Sequence, residues 1–163
     1  MDDVEAFWAL RLRALREHPG AFASAFEESS GRPLDAVRQD FEMRNTGPES
    51  IVIGAFDGEA LVGTIGCFRQ QGAKLRHKAV IWTVYVAPEA RGRGVGRALV
   101  DAAVATARSW EGVEQVHLSV ASDNAQACRL YRAAGFAAYG VEPRALKLRD
   151  RYVDEDHMVL RLT

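Results

Sequence analysis

Val84-Tyr85-Val86-Ala87-Pro88-Glu89-Ala90-Arg91-Gly92-Arg93-Gly94-Val95-Gly96-Arg97-Ala98-Leu99 is the stretch whose reading decides the fold. The run Ala79 to Val86 is rich in Val, Ile, Trp and Tyr and reads as a strand. It is too apolar for an exposed edge, which places it centrally in a sheet. Three glycines then lead directly into a helical pattern reaching about Trp110. A strand that turns on glycines into a helix exposes several backbone N–H groups at the positive end of the helix dipole, a ready site for phosphate. Glycine lets a ligand approach that backbone closely, and Arg91, Arg93 and Arg97 add positive charge. A Walker A loop is excluded, because no Lys follows the glycines. A dinucleotide fingerprint is excluded as well, because the place of its third Gly holds Arg97.

Working outward, Val4, Phe7, Trp8, Leu12 and Leu15 fall on one face of a helix over residues 3–17, which His18-Pro19-Gly20 ends. A second amphipathic helix is predicted from Pro33 to Arg44, with Leu34, Val37 and Phe41 facing inward. A loop follows over 45–50, then strands at 51–56 and 60–68 joined by an Asp57-Gly58 hairpin turn. Arg69 to Lys78 reads as a polar, basic loop. Downstream come a strand at 115–121, a short helix at 124–134 stopped by Gly135, and strands at 136–141 and 157–162 joined by a charged connection. This order is α/β (α+β): one domain over residues 1–163, its sheet mixed and mostly antiparallel.

Composition limits the function classes. The chain has 163 residues, one ordinary domain in size, and is 48% hydrophobic and 26% charged, so disorder is set aside. Lys and Arg number 21 against 22 Asp and Glu, a net charge of −1 that argues against a dedicated nucleic-acid binder. The acidic start, Met1-Asp2-Asp3, and the absence of any long apolar run predict neither a leader nor a membrane span, and a cytoplasmic location. Cys67 and Cys128 read as reduced, buried thiols, and the four histidines have no metal-ligand spacing.

A second motif follows: Asn124-Ala125-Gln126-Ala127-Cys128-Arg129-Leu130-Tyr131-Arg132-Ala133-Ala134-Gly135-Phe136. Alone, Asn124 reads as a helix N-cap and Tyr131 as an ordinary residue of an amphipathic helix. With both motifs in this order, the chain resembles the GNAT N-acetyltransferase superfamily. Arg91, Gly94 and Gly96 fit that family's pyrophosphate-loop signature. Asn124, Ala127, Leu130, Tyr131, Gly135 and Phe136 fit its downstream motif without a gap.

The resemblance implies an acyl-CoA N-acyltransferase fold, in which the strand Ile81 to Val86 splays from the strand Gln115 to Ala121 to admit the arm of acetyl-CoA. The backbone of Arg91, Gly92, Arg93, Gly94, Val95, Gly96 and Arg97 would hold the pyrophosphate. Val84, Tyr85 and Val86 would pair with the pantetheine arm, and an N–H near Val84 would face the thioester oxygen. Tyr131 would protonate the departing thiolate, and Asn124 would fix the arm or the turn beside it. The acceptor would be a small-molecule or peptide amine, with a homodimer as the implied assembly and no metal, nucleic acid or membrane partner. The alternative is a non-catalytic acyl-CoA sensor or interaction module of the same fold.

The general base is the open position, because Ala79 to Val86 contains no acid. Glu27, Glu28 or His77 could serve, directly or through water. Asp154-Glu155-Asp156 reads as a polar loop capping the last hairpin, with a possible attraction for a cationic substrate. Arg69, Lys74, Arg76 and Lys78 read as a solvated strand end within conceivable reach of the 3′-phosphate of CoA.

Overall fold

A computed structural model describes residues 3–45 and 47–163. Met1, Asp2 and Thr46, which the sequence reading assigns to the acidic start and to the 45–50 loop, lie outside the described residues. The chain opens with α1 (Asp3–Glu17), acidic in its first turn and basic in its last, as the helix dipole favours. It buries Phe7, Leu10, Ala14 and Leu15. A short helix that the sequence reading lacks, α2 (Phe26–Ser30), precedes α3 (Leu34–Asn45). Of the three apolar residues expected to face inward on α3, Val37 is buried and Phe41 stacks on Phe7 at 5.0 Å, but Leu34 is exposed in the first turn.

β1 (Ser50–Asp57) and β2 (Ala60–Arg69) form the expected hairpin, with Gly58 at φ 61° in its turn. β3 (Lys78–Val86) runs into α4 (Val95–Ser109), which crosses over to β4 (Gln115–Ala121). α5 (Ala125–Ala133) then leads to a long hairpin of β5 (Ala137–Lys147) and β6 (Tyr152–Arg161). The six strands lie in the order β1-β2-β3-β4-β6-β5. The β3–β4 pair alone is parallel, because a helix crossover rather than a turn joins them. The architecture is therefore the mixed, mostly antiparallel α/β sheet that the sequence order implies.

Side-chain alternation divides the packing between the two faces of the sheet. Ile65, Cys67, Ala79 and Ile81 join Leu99, Val100, Ala103 and Ala107 of α4 in the main core. Val62 and Tyr85 join Leu10 and Ala14 of α1 in a smaller one. Among the described residues no helix is long and apolar enough to cross a membrane.

Three sequence expectations are corrected. The last strands are longer than predicted, so the charged connection shrinks to the tip of the hairpin. Asp154-Glu155-Asp156 lies within β6, where Glu155 and Asp156 pair with β4 and β5 and Asp154 accepts from the Arg144 N–H at 2.7 Å. β5 is exposed along most of its length, so it lacks the apolar alternation that reveals a half-buried strand. Arg69 is not solvated: it is buried and ion-paired with Glu49 at the end of β2.

Candidate active site

β3 changes character half-way along. Gly66 pairs with Trp82, but the next pair is Thr64 with Tyr85, so β3 carries one residue more than its partner there. Thr83 takes up the excess at φ 53°, an uncommon conformation for a β-branched residue. An extra residue reverses the facing of everything after it. Ala79 and Ile81 face the main core before the bulge, as does Val84 after it, while Tyr85 turns toward α1 and Val86 packs against both clusters. On the other edge, pairing with β4 stops at Val80 and His117, so β3 and β4 separate beyond them.

The glycine turn lies at the end of this separated segment. Gly92 and Gly94 adopt φ values of 74° and 81°, which only glycine takes without strain. Gly94 is the N-cap of α4 and has no side chain with which to satisfy the first-turn amides. Gly96 allows a close approach between helices, since a Cβ there would lie 3.2 Å from Leu130 Cδ2.

A cavity of about 600 Å³ joins these parts. It is lined by Val84, Tyr85 and Val86, by the turn from Arg91 to Arg97 apart from Arg93, and by Asn124, Leu130 and Tyr131. Residues 17–22, Asp123 and Arg151 also line it. Arg91 donates to the Val86 carbonyl at 2.9 Å and to His18 Nε2 at 3.0 Å. Arg97 is held by Asp101 at 2.8 Å and by the Ala133 carbonyl. The Arg93 side chain turns away to Asp57 at 2.6 Å. Asn124 caps α5, its Oδ1 accepting from the Ala127 N–H at 3.1 Å.

Tyr131 is buried, with its ring edge-on to Phe136, and burial pushes its phenol well above the ordinary range. Tyr85 is buried too and donates to Glu17 at 2.6 Å; burial first and the Glu17 carboxylate second push it up to about 12. Glu17 itself is held below the usual carboxylate range, by Arg13 first and Tyr85 second.

The acids and histidine named as candidate bases are not brought here. Glu27 and Glu28 are exposed on α2. His77 precedes the far end of β3, where its carbonyl accepts from the N–H of Glu114. Lys78 and Arg69 share that end, roughly 20 Å of strand away from Val86, so they stand apart from the glycine turn. Glu17 and His18 stand in the cavity instead. Nothing in the sequence marked them, since a Glu at the end of an amphipathic helix reads as solvated.

The cavity suits a phosphate-bearing ligand with an extended amide arm. The uncapped amides of Val95, Gly96 and Arg97 are unsatisfied donors at a helix N-terminus, and the separated edge of β3 offers free strand groups. The profile of the acetyltransferase (GNAT) family matches residues 12–136. The chain belongs to that family.

Among its relatives, a mycothiol acetyltransferase of Thermobispora bispora is 33% identical over 146 residues, which is 86% of this chain and 45% of that protein. The chain spans less than half the length of the curated mycothiol acetyltransferases it matches. The crystal structure of a ribosomal-protein-alanine N-acetyltransferase from Brucella melitensis superposes with a TM-score of 0.84 at 25% identity, covering 98% of this chain and 94% of that one. The same fold occurs in a GNAT phosphinothricin acetyltransferase from Sinorhizobium meliloti, solved in complex with acetyl-CoA, with a TM-score of 0.84 at 20% identity over 98% of this chain and 83% of that one. Among the described residues of this GNAT chain, no group of three or more His, Cys, Asp or Glu could hold a metal ion.

Proposed function

We propose that the chain transfers the acetyl group of acetyl-CoA to a primary amine by direct attack, with Tyr131 as the proton donor. The observation that carries this reading is the convergence of three features on one cavity: the uncapped glycine turn, the separated edge of β3 and the buried Tyr131. Acetyl-CoA would supply an activated acyl carbon and a thiolate leaving group. The amides of Val95 to Arg97 hold its phosphates at the start of α4, with Arg91 and Arg97 adding charge. Val84 and Val86 offer strand hydrogen bonds to its arm, and an N–H beside Val84 stabilises negative charge on the carbonyl oxygen during attack. Asn124 keeps the start of α5 in place, which orients Tyr131 seven residues later.

The amine lone pair forms the new C–N bond as the C–S bond breaks. The sulfur takes the phenolic proton of Tyr131, the acylated nitrogen releases a proton to solvent, and solvent restores the phenol. Burial keeps the phenol protonated at neutral pH, so Tyr131 carries a proton to give when the thiolate departs.

The acceptors in the relatives' names differ, one mycothiol and another a ribosomal-protein alanine, so no single acceptor carries over to this chain. Steady-state kinetics over a panel of amines, with released CoA as the readout, tests the proposal. Acetyl transfer to at least one primary amine is expected. Tight acetyl-CoA binding with transfer to none would favour a sensor instead.

A further inference from the structure

We propose that Glu17 selects the acceptor: its carboxylate receives the ammonium group of a cationic acceptor at the mouth of the cavity, and Tyr85 positions that carboxylate. The inference rests on the acetyltransferase reading and specifies what the site recognises.

Position comes first. Glu17 is the last residue of α1 and lines the same cavity as Val84, Val86 and Tyr131. The bulge at Thr83 turns Tyr85 onto the α1 face, while Val84 remains on the face of the main core with Tyr131. Glu17 and Tyr131 therefore flank the separated strand edge from opposite sides. An amine at Glu17 would approach from one side, and the leaving sulfur would meet its proton donor on the other.

Charge comes second. Arg13 donates to Glu17 at 2.8 Å and grips both oxygens of Glu89 at 2.6 and 2.9 Å. This one arginine serves both carboxylates, holding Glu89 by two bonds and Glu17 by one. Arg91 is already engaged by Val86 and His18 and lies over the Tyr85 ring, 5.9 Å from its centre. The other lining carboxylate, Asp123, is matched by Arg151 at 3.1 Å. Glu17 therefore shares its arginine with a second carboxylate, and its side chain keeps 33% of its surface open. Pro19, Ala21 and Phe22 line the same wall and offer apolar contact to an aliphatic stem behind the ammonium.

The chemistry decides between two roles. A carboxylate held below its ordinary range is a poor proton acceptor from an ammonium of pKa ~10.4 but a dependable anion. Glu17 therefore binds the cation, and solvent takes the proton before attack. The Tyr85 hydroxyl, fixed by its buried ring, holds one carboxylate oxygen in place.

Calorimetric titration of two S-alkyl-CoA thioethers, one ending in an ammonium and the other in a methyl group on an equal chain, tests this without a known acceptor. The wild type is expected to bind the ammonium conjugate about tenfold tighter, equivalent to about 1.4 kcal/mol. Glu17→Gln should abolish the preference with affinity for plain CoA unchanged, and Tyr85→Phe should reduce it to about threefold. Raising the salt concentration should shrink the wild-type preference, which needs no variant. Absence of a preference in the wild type, its persistence in Glu17→Gln, or its indifference to salt would overturn the proposal. Failure of plain CoA to bind the wild type would instead overturn the acetyltransferase reading beneath it.

Discussion

Trp82 lies against Gly66, its partner on the neighbouring strand, so closely that a Cβ on Gly66 would come within 2.3 Å of the indole Nε1. The missing side chain is what lets the rigid indole lie on β2 immediately before the bulge at Thr83. Arg44 packs over the same ring, 4.9 Å from its centre. Gly66→Ala should therefore displace the indole and destabilise the fold by about 1–3 kcal/mol, with Tm falling by about 2–4 °C for each kcal/mol. Thermal unfolding followed by tryptophan fluorescence reads both effects. An unchanged Tm would mean that the indole has room to move aside.

Gly94 tests the turn without involving packing. At φ 81° an added Cβ would meet nothing within 4 Å, so Gly94→Ala suffers backbone strain alone, about 1–2 kcal/mol. The strain is relieved by opening the turn that aims the first amides of α4. The expected outcome is a rise of about tenfold in KM for acetyl-CoA with kcat little altered. Steady-state kinetics at a saturating amine concentration checks it, and an unchanged KM would remove the turn from phosphate binding.

Alkaline pH should destabilise the protein. Cys67 is fully buried in the main core, and burial pushes its thiol up to about 12. Above the ordinary thiol pKa of about 8.5, the unfolded chain releases a proton that the folded chain retains. The stability contribution is thus fully present below that value and is lost as pH rises through the folded pKa. The slope approaches about 1.4 kcal/mol per pH unit for one such group. Tyr131 and Tyr85, also raised, act in the same direction at higher pH. Denaturant titrations between neutral and alkaline pH should show a shallower fall in Cys67→Ala than in the wild type.

The sequence was most legible where one segment carries both its pattern and its neighbours. The Asp57-Gly58 hairpin, the central β3 and the Asn124 cap could all be read locally, because each signal lies within a few residues. The fold class followed from their order. β5 and β6 were cut short because their pairing is made by backbone groups under polar side chains. Within the site, the glycine turn and Tyr131 were legible as motifs, but Glu17 was not. Its place depends on a one-residue bulge in β3, which no periodicity in Trp82-Thr83-Val84-Tyr85 announces, and on a contact spanning 68 positions. The Arg93 side chain was not legible either: it stands in the motif, but its guanidinium is turned to Asp57 on the hairpin of β1 and β2.

Acetyl transfer by Tyr131→Phe under single-turnover conditions, with enzyme saturated in acetyl-CoA and an amine found by the panel, measures the central claim most directly. The variant keeps the ring that packs on Phe136 and loses only the hydroxyl, so acetyl-CoA affinity should stay within about twofold while the transfer rate falls by about 10²–10⁴. A transfer rate equal to that of the wild type would contradict the role of Tyr131 as the proton donor.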